Sequence, residues 1–239
     1  DCAFCVGVSG MTTTGSTIFV DVESLPKSIL MWRSLTQWVG AMGILAMFVV
    51  VLTGMTSSSK TLIGAESSLS NTDLASLQQT MRRIWLLYLG FTIICGLGLW
   101  GMGLTPFQAV NHGLTAVATG GFGTENTSLA GEPFGTASKL WIMVLMVLGA
   151  ISLPFYLTMM KPNREDFLAR FAAVYWILGI VGIASLVLLI QHFSGGFDGA
   201  RPVDIVFNVI SIGTSTGYVS SDFDEWSRLA VGVLVLLMV

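Results

Sequence analysis

Long apolar runs without charge alternate along this chain with short polar stretches, at the spacing a lipid bilayer sets. LTQWVGAMGILAMFVVVLTGM, between Arg33 and Lys60, fits one helix. LWIMVLMVLGAISLPFYLTMM, between Lys139 and Lys161, fits another, and FAAVYWILGIVGIASLVLLIQHF, between Arg170 and Asp198, fits a third. A further apolar run, LAVGVLVLLMV, leads to Val239. Each complete run approaches the ~20 residues needed to cross a hydrocarbon core. The run between Arg83 and Glu125 breaks this pattern. As one helix it would be ~60 Å long, about twice the hydrocarbon thickness. GMGLTPFQ, at 101–108, supplies glycines and a proline after a span at 84–102. The remainder, PFQAVNHGLTAVATGGFG, is too short and too polar to cross. It reads as a half-helix that enters the membrane and returns through a glycine turn. Non-helical backbone survives at that depth only where it lines a water-filled cavity or is buried in protein.

The half-helix recurs. PFQAVNHGLTAVATGGFGT (106–124) aligns without a gap on PVDIVFNVISIGTSTGYVS (202–220). Pro106 then matches Pro202, Thr119 matches Ser215, Gly121 matches Gly217 and Phe122 matches Tyr218. A third copy opens the chain as VGVSGMTTTGST, with Gly15 after Thr12, Thr13 and Thr14. The repeating unit is helix, re-entrant half-helix, glycine turn, helix. The predicted architecture is therefore an all-α membrane protein of such units around a central pore. Its divisions are the end of repeat 1 at 1–54, a cytoplasmic loop at 55–82, repeat 2 at 83–160, a second cytoplasmic loop at 161–170, and repeat 3 at 171–239.

Composition agrees with the pattern. Of the 239 residues 53% are hydrophobic and only 10% charged, with a mean hydropathy of +0.78. Soluble domains carry about 25% charged residues. The small net charge of −3 argues against a nucleic-acid partner. Loops 55–82 and 161–170 carry Lys60, Arg82, Arg83, Lys161, Arg164 and Arg170 against fewer acids, and the other loops are acid-rich. The positive-inside rule places the first two in the cytoplasm and the glycine turns toward the outer side.

Aligned peptide oxygens can replace the water shell of an alkali cation, as in potassium-channel filters. Glycine supplies the backbone angles this requires, and Thr or Ser adds hydroxyl oxygens. The C-terminal end of a half-helix favours a cation just beyond it. The candidate filter is thus Thr13, Thr14 and Gly15, with Thr119, Gly120 and Gly121, and with Ser215, Thr216 and Gly217. Outer acids Glu125, Asp222, Asp224 and Glu225 read either as concentrating cations at a pore mouth or as solvated loop charges. GAMG at 40–43 and GLGLWGMG at 96–103 read as close-packing glycines. Trp32, Trp38, Trp141 and Trp226 read as interface anchors or packing. His112 reads as a hydrogen-bonded structural histidine rather than a proton relay. With His192 the only other histidine, no metal cluster is expected. Cys2 and Cys5 form a lone C-x-x-C that reads as two small apolar fillers, and Cys95 as inert.

These segments resemble a known family. SGMTTTGSTIFVDVESLPKSILMWRSLTQWVGAMGI resembles the first filter and following helix of the TrkH/TrkG-type potassium-uptake proteins of the Trk/Ktr/HKT superfamily. IWLLYLGF, with LGLWGMGLTPFQAVNHGLTAVATGGFGTENTSL, resembles their second repeat, and FNVISIGTSTGYVSSDF their third filter. The resemblance implies four such repeats around one pore, so this chain is expected to be a fragment covering the first to third filter repeats. The family's midway gating loop and fourth filter are absent from it. The resemblance further implies K+ as the transported ligand, a homodimer, and a cytosolic nucleotide-binding regulatory subunit of TrkA type. The implied location is the bacterial inner membrane, as a multi-pass protein. In plant relatives a serine at the first filter position is linked with sodium; here that residue is Gly15. The expected function is potassium uptake, with no cofactor and no enzymatic activity. The alternatives are a sodium or mixed monovalent-cation transporter of the same fold, or a secondary transporter of small solutes. A secondary transporter would show inverted repeats, and these repeats run in one sense. An intramembrane enzyme would need a nucleophile and base, or paired carboxylates, inside the membrane.

Overall fold

A computed structural model describes residues 2–61, 71–131, 133–151, 179–192, 201–222 and 226–238. Among these residues every regular element is an α-helix, as the sequence predicts. The helices are α1 (Cys2–Met11), α2 (Lys27–Thr61), α3 (Asn71–Gly101), α4 (Pro106–Val117), α5 (Thr136–Ala150), α6 (Gly179–His192), α7 (Pro202–Gly213) and α8 (Arg228–Leu237).

The long uncharged run breaks where its glycines and proline require. Gly103, with φ +97°, ends α3. Its N–H donates to the Trp100 carbonyl and the Leu104 N–H to the Leu99 carbonyl, which closes the helix with a left-handed cap. Two residues on, Thr105 starts α4. Its side chain accepts from the Gln108 N–H, the Gln108 side chain accepts from the Thr105 N–H, and Pro106 fills the first turn, where a missing N–H is harmless. Pro202 likewise fills the first turn of α7, where Arg201 makes no side-chain cap.

Packing follows the repeats. α4 is held between α3 and α5, and α7 packs against α5 and α8. α2 lies between α1 and α4, as α5 lies between α4 and α7. Each returning helix thus joins its own half-helix to that of the next repeat. One core runs through the first two repeats and reaches Phe207 and Tyr218 of the third. A second core, with Val181, Leu188, Ile205, Val209 and Leu234, gathers α6, α7 and α8. Gly98 lets the Trp141 indole lie against α3, and Gly40 lets α2 touch the Met11 carbonyl. Close-packing glycine is therefore the right reading at both positions. Trp38 is packing rather than an anchor: it stacks on Tyr88 at 5.2 Å and donates from Nε1 to Thr92.

The outward faces are apolar. Leu86, Ile93 and Leu97 of α3, Ile183 and Leu186 of α6, and Leu236 of α8 are each more than half exposed. A water-facing surface rarely carries such a patch, and a lipid-facing one requires it. Gln79–Gly101 is one helix long and apolar enough to cross a membrane. The stretch 55–82 differs from the expected loop. It is helical at 55–61 and again at 71–82. Charges such as Arg82 and Arg83 mark where water begins, and a helix can continue into water. The loop at 161–170, the span residues beside it, and the outer acids Asp224 and Glu225 lie outside the described residues.

Candidate functional site

Three half-helices, α1, α4 and α7, end in one and the same bonding pattern. The Thr13 N–H donates to the Gly10 carbonyl (3.0 Å) and the Thr14 N–H to the Ser9 carbonyl (3.0 Å). At the second turn Thr119 donates to Ala116 (3.2 Å) and Gly120 to Thr115 (2.9 Å). At the third, Ser215 donates to Ile212 (2.9 Å) and Thr216 to Ser211 (2.8 Å). This is a Schellman cap, in which glycine usually holds the left-handed position. Here that position is held by Thr13 (φ +55°), Thr119 (φ +48°) and Ser215 (φ +55°). Two residues later each chain turns left-handed again, at Gly15 (φ +77°), Gly121 (φ +77°) and Gly217 (φ +83°). A left-handed β-branched residue is a true outlier. Each such residue costs on the order of 1–3 kcal/mol, and strain of this kind clusters at functional sites.

The turns lie edge to edge. A Cβ on Gly15 would meet the Gly120 carbonyl, and one on Gly121 would meet the Thr216 carbonyl. A Cβ on Gly217 would meet no described atom within 4 Å. The structure therefore brings the predicted residues of all three turns together in the order first, second, third. A cavity of about 230 Å³ opens beside the first two, lined by Thr13 and Thr119 with Tyr88, Phe91 and Gly149.

Behind the turns lies a polar shell that the sequence reading only partly anticipated. His112 is fully buried, with Nδ1 3.2 Å from the Tyr218 hydroxyl and Nε2 3.2 Å from Thr124 Oγ1. The Tyr218 hydroxyl also bonds Thr115 Oγ1. The structural reading of His112 stands, and its network ties the second turn to the third. Gln37 of α2 is wholly buried; its Nε2 donates to the Gly120 carbonyl and its Oε1 accepts from the Phe122 N–H. Arg33 is 2% exposed, with its guanidinium 4.2 Å from the Phe122 ring centroid. Its Nε and Nη1 have no hydrogen-bond partner among the described residues. Lys139 of α5 is 1% exposed and pairs with Asp204 of α7 at 2.6 Å.

None of Gln37, Arg33, Lys139 or Asp204 is singled out by sequence reasoning, which takes Arg33 and Lys139 only as the ends of charge-free runs. One signal was available. With Gly15 laid on Gly121, Arg33 falls on Lys139, so the two returning helices carry a cation at the same place.

Outer loops clamp the turns from above. Asn126 donates from Nδ2 to Asp21 (2.8 Å), and its Oδ1 accepts from the Val22 N–H. That side-chain hydrogen bond holds the Asp21 carboxyl below its usual range. The Leu129 N–H donates to the Val219 carbonyl, and the Val219 N–H to Ser128 Oγ. Glu125, one of the outer acids, accepts from Gln108 Nε2 at 2.8 Å.

Repeated half-helices that end in paired glycine turns, inside a lipid-facing helical shell, define an all-α membrane protein of pore-helix repeats. The family model of TrkH, described as a cation transport protein, matches residues 3–239. The chain belongs to the TrkH family. It is 30% identical to the Trk system potassium uptake protein TrkH of Vibrio parahaemolyticus over 98% of this chain and 50% of that one. It is 31% identical to the Trk system potassium uptake protein TrkI of Halomonas elongata over 93% of this chain and 46% of that one. The crystal structure of the potassium transporter TrkH from Vibrio parahaemolyticus matches with a TM-score of 0.74 at 25% identity, covering 99% of this chain and 48% of that chain. The chain spans about half the length of the curated relatives it matches.

Proposed function

We propose that this chain forms part of the cation pathway of a potassium-uptake protein, with Thr13–Gly15, Thr119–Gly121 and Ser215–Gly217 as filter segments. The observation that carries the reading is the shared double left-handed signature of three adjacent turns. Peptide and hydroxyl oxygens of the turns take the place of the ion's hydration water. Three half-helices end at the turns, so their negative dipole ends favour a cation there. No charged side chain is needed, which keeps the ion from binding too tightly to leave. Flux is driven by the membrane potential, at ~2.3 kcal/mol per charge per 100 mV. K+ is cargo, and the reading calls for no resident cofactor and no chemical step. Relatives named as potassium-uptake proteins support K+ as the ion. Residence in the bacterial inner membrane as a multi-pass protein, homodimer assembly and a TrkA-type nucleotide-binding subunit complete the proposal.

The test is tracer uptake of Rb+ against Na+ in cells lacking their own potassium uptake, with the intact protein and its Gly15→Ser variant. The reading expects Rb+ to be preferred and Gly15→Ser to erode that preference. A variant with unchanged selectivity counts against these turns as the filter. Uptake of a neutral amino acid in place of Rb+ would favour a secondary transporter of small solutes.

A further inference from the structure

The three turns are alike in backbone and unlike in what steadies them. In the first, Thr12 Oγ1 donates to the Val8 carbonyl and lies 2.7 Å from Thr14 Oγ1. In the third, Thr214 Oγ1 donates to the Ile210 carbonyl and lies 2.8 Å from Thr216 Oγ1. The same two positions, third and first before the glycine, thus build one brace twice. It runs from a half-helix carbonyl through two hydroxyls to the residue before the glycine. In the second turn these positions are Ala118 and Gly120. Neither has a hydroxyl, so the internal brace is missing.

Gln37 stands in that gap. Its carboxamide bonds the chain on both sides of Gly121, donating to the Gly120 carbonyl and accepting from the Phe122 N–H. A Cβ on Gly120 would fall on the Gln37 carboxamide itself. Gly120 is not among the positive-φ residues, so its backbone would admit a side chain. The carboxamide, and not the backbone, is what requires glycine there. Gln37 Nε2 also lies 3.9 Å from where a Cβ on Gly15 would sit, at the junction of the first two turns.

We infer that Gln37 is a positioning residue for ion selectivity: its side chain replaces, for the second turn, the hydroxyl brace that the first and third turns carry within themselves. This rests on the filter reading of the turns. Two hydrogen bonds fix the peptides on either side of Gly121. Without them those carbonyls lose the fixed spacing that separates a larger dehydrated cation from a smaller one.

The experiment compares Rb+ and Na+ uptake by the intact protein in four forms. These are the wild type, Gln37→Ala, Gln37→Ala with Ala118→Ser and Gly120→Ser, and Gln37→Glu. Gln37→Ala should lower the Rb+/Na+ ratio by about tenfold, the scale of two lost hydrogen bonds. Adding the two serines should restore the ratio to within about twofold of wild type, because the hydroxyl brace returns where the carboxamide has left. Gln37→Glu keeps the volume and the acceptor but loses the donor, and should lower the ratio even where Gln37→Ala fails to accumulate. A merely structural role predicts lower protein amount at an unchanged ratio, and that result overturns the inference. So does a lowered ratio that the serines leave unchanged. A wild type that prefers neither ion overturns the filter reading and the inference with it; a selective wild type matched by Gln37→Ala and Gln37→Glu overturns the inference alone.

Discussion

Alanine in place of Gly121 is the sharpest perturbation of the turns. Gly121 holds φ +77°, a conformation that costs an L-residue about 1–2 kcal/mol. Its new methyl would also lie under 3.0 Å from the Thr216 carbonyl oxygen. That oxygen belongs to the backbone of the third turn and cannot swing aside as a side-chain tip would. Overpacking of this kind typically costs 1–3 kcal/mol. Together the two effects place about 2–5 kcal/mol on the contact between the second and third turns. At ~1.4 kcal/mol per tenfold, even the lower figure shifts the equilibrium between correctly built and distorted turns by roughly 30-fold. Gly90 is the control, because a Cβ there meets no described atom within 4 Å and its backbone is helical. Gly90→Ala should stabilise α3 by up to ~1 kcal/mol. The assay is initial-rate Rb+ uptake in cells lacking their own potassium uptake, paired with thermal unfolding of the purified protein in detergent. Gly121→Ala should lose most of its Rb+ uptake and unfold at a lower temperature, and Gly90→Ala should keep both. Full uptake by Gly121→Ala at normal expression would refute the claim that these turns meet and carry the ion.

Two further outcomes follow from the shell around the turns. Lys139→Met leaves the buried Asp204 carboxylate with only its 3.2 Å pair to Arg201, whose side chain is 67% exposed. Breaking a buried pair costs about 3–5 kcal/mol, whereas an apolar pair at both positions recovers most of it; unfolding of Lys139→Met and of Lys139→Met with Asp204→Leu measures the difference. Asp21 titrates below its ordinary value of 3.8 because Asn126 donates to its carboxylate. A depressed folded-state value stabilises the loop at all pH above 3.8 and loses that effect as pH falls through the lower value. Protease cutting within 17–26 should therefore rise with acid in that window, and Asn126→Ala should weaken that rise, leaving only the part held by the Glu23 and Ser24 N–H groups.

The break at 101–108 and the half-helices were legible because bilayer thickness limits an uncharged run, and because proline and glycine end helices by steric rule. The equivalence of the turns was legible from Pro106 with Pro202 and Gly121 with Gly217. Helix lengths were not. Residues 71–82 are helical although charged, since membrane exit and helix end are separate events. Lys139 and Asp204 were hidden for the opposite reason. A charge in sequence reads as water, and only the crossing of α5 and α7 shows that these two neutralise each other out of water. Gln37 was hidden by distance along the chain, being a single polar residue in an apolar run. Its meaning appears only against what Ala118 and Gly120 lack.

The left-handed threonine at the end of α4 raises a last question, because glycine there would be the relaxed choice. Thr119 holds φ +48° and is β-branched, so its conformation costs at least the ~1–2 kcal/mol of an ordinary L-residue. Glycine removes that strain and returns ~0.5–1 kcal/mol of it as chain entropy on folding. Thr119→Gly should therefore unfold at a temperature equal to or above that of the wild type. Thr119 and Thr13 line the same cavity; under the proposed filter role, the hydroxyl and the stiffness of the branched side chain serve the ion rather than the fold. Thr119→Gly should lose Rb+ over Na+ selectivity while keeping or gaining stability, the usual direction of a stability–activity trade-off. A variant that is less stable and equally selective would show that threonine serves the fold alone. Strain would then carry no functional meaning at Thr13 or Ser215 either, since all three turns share one geometry.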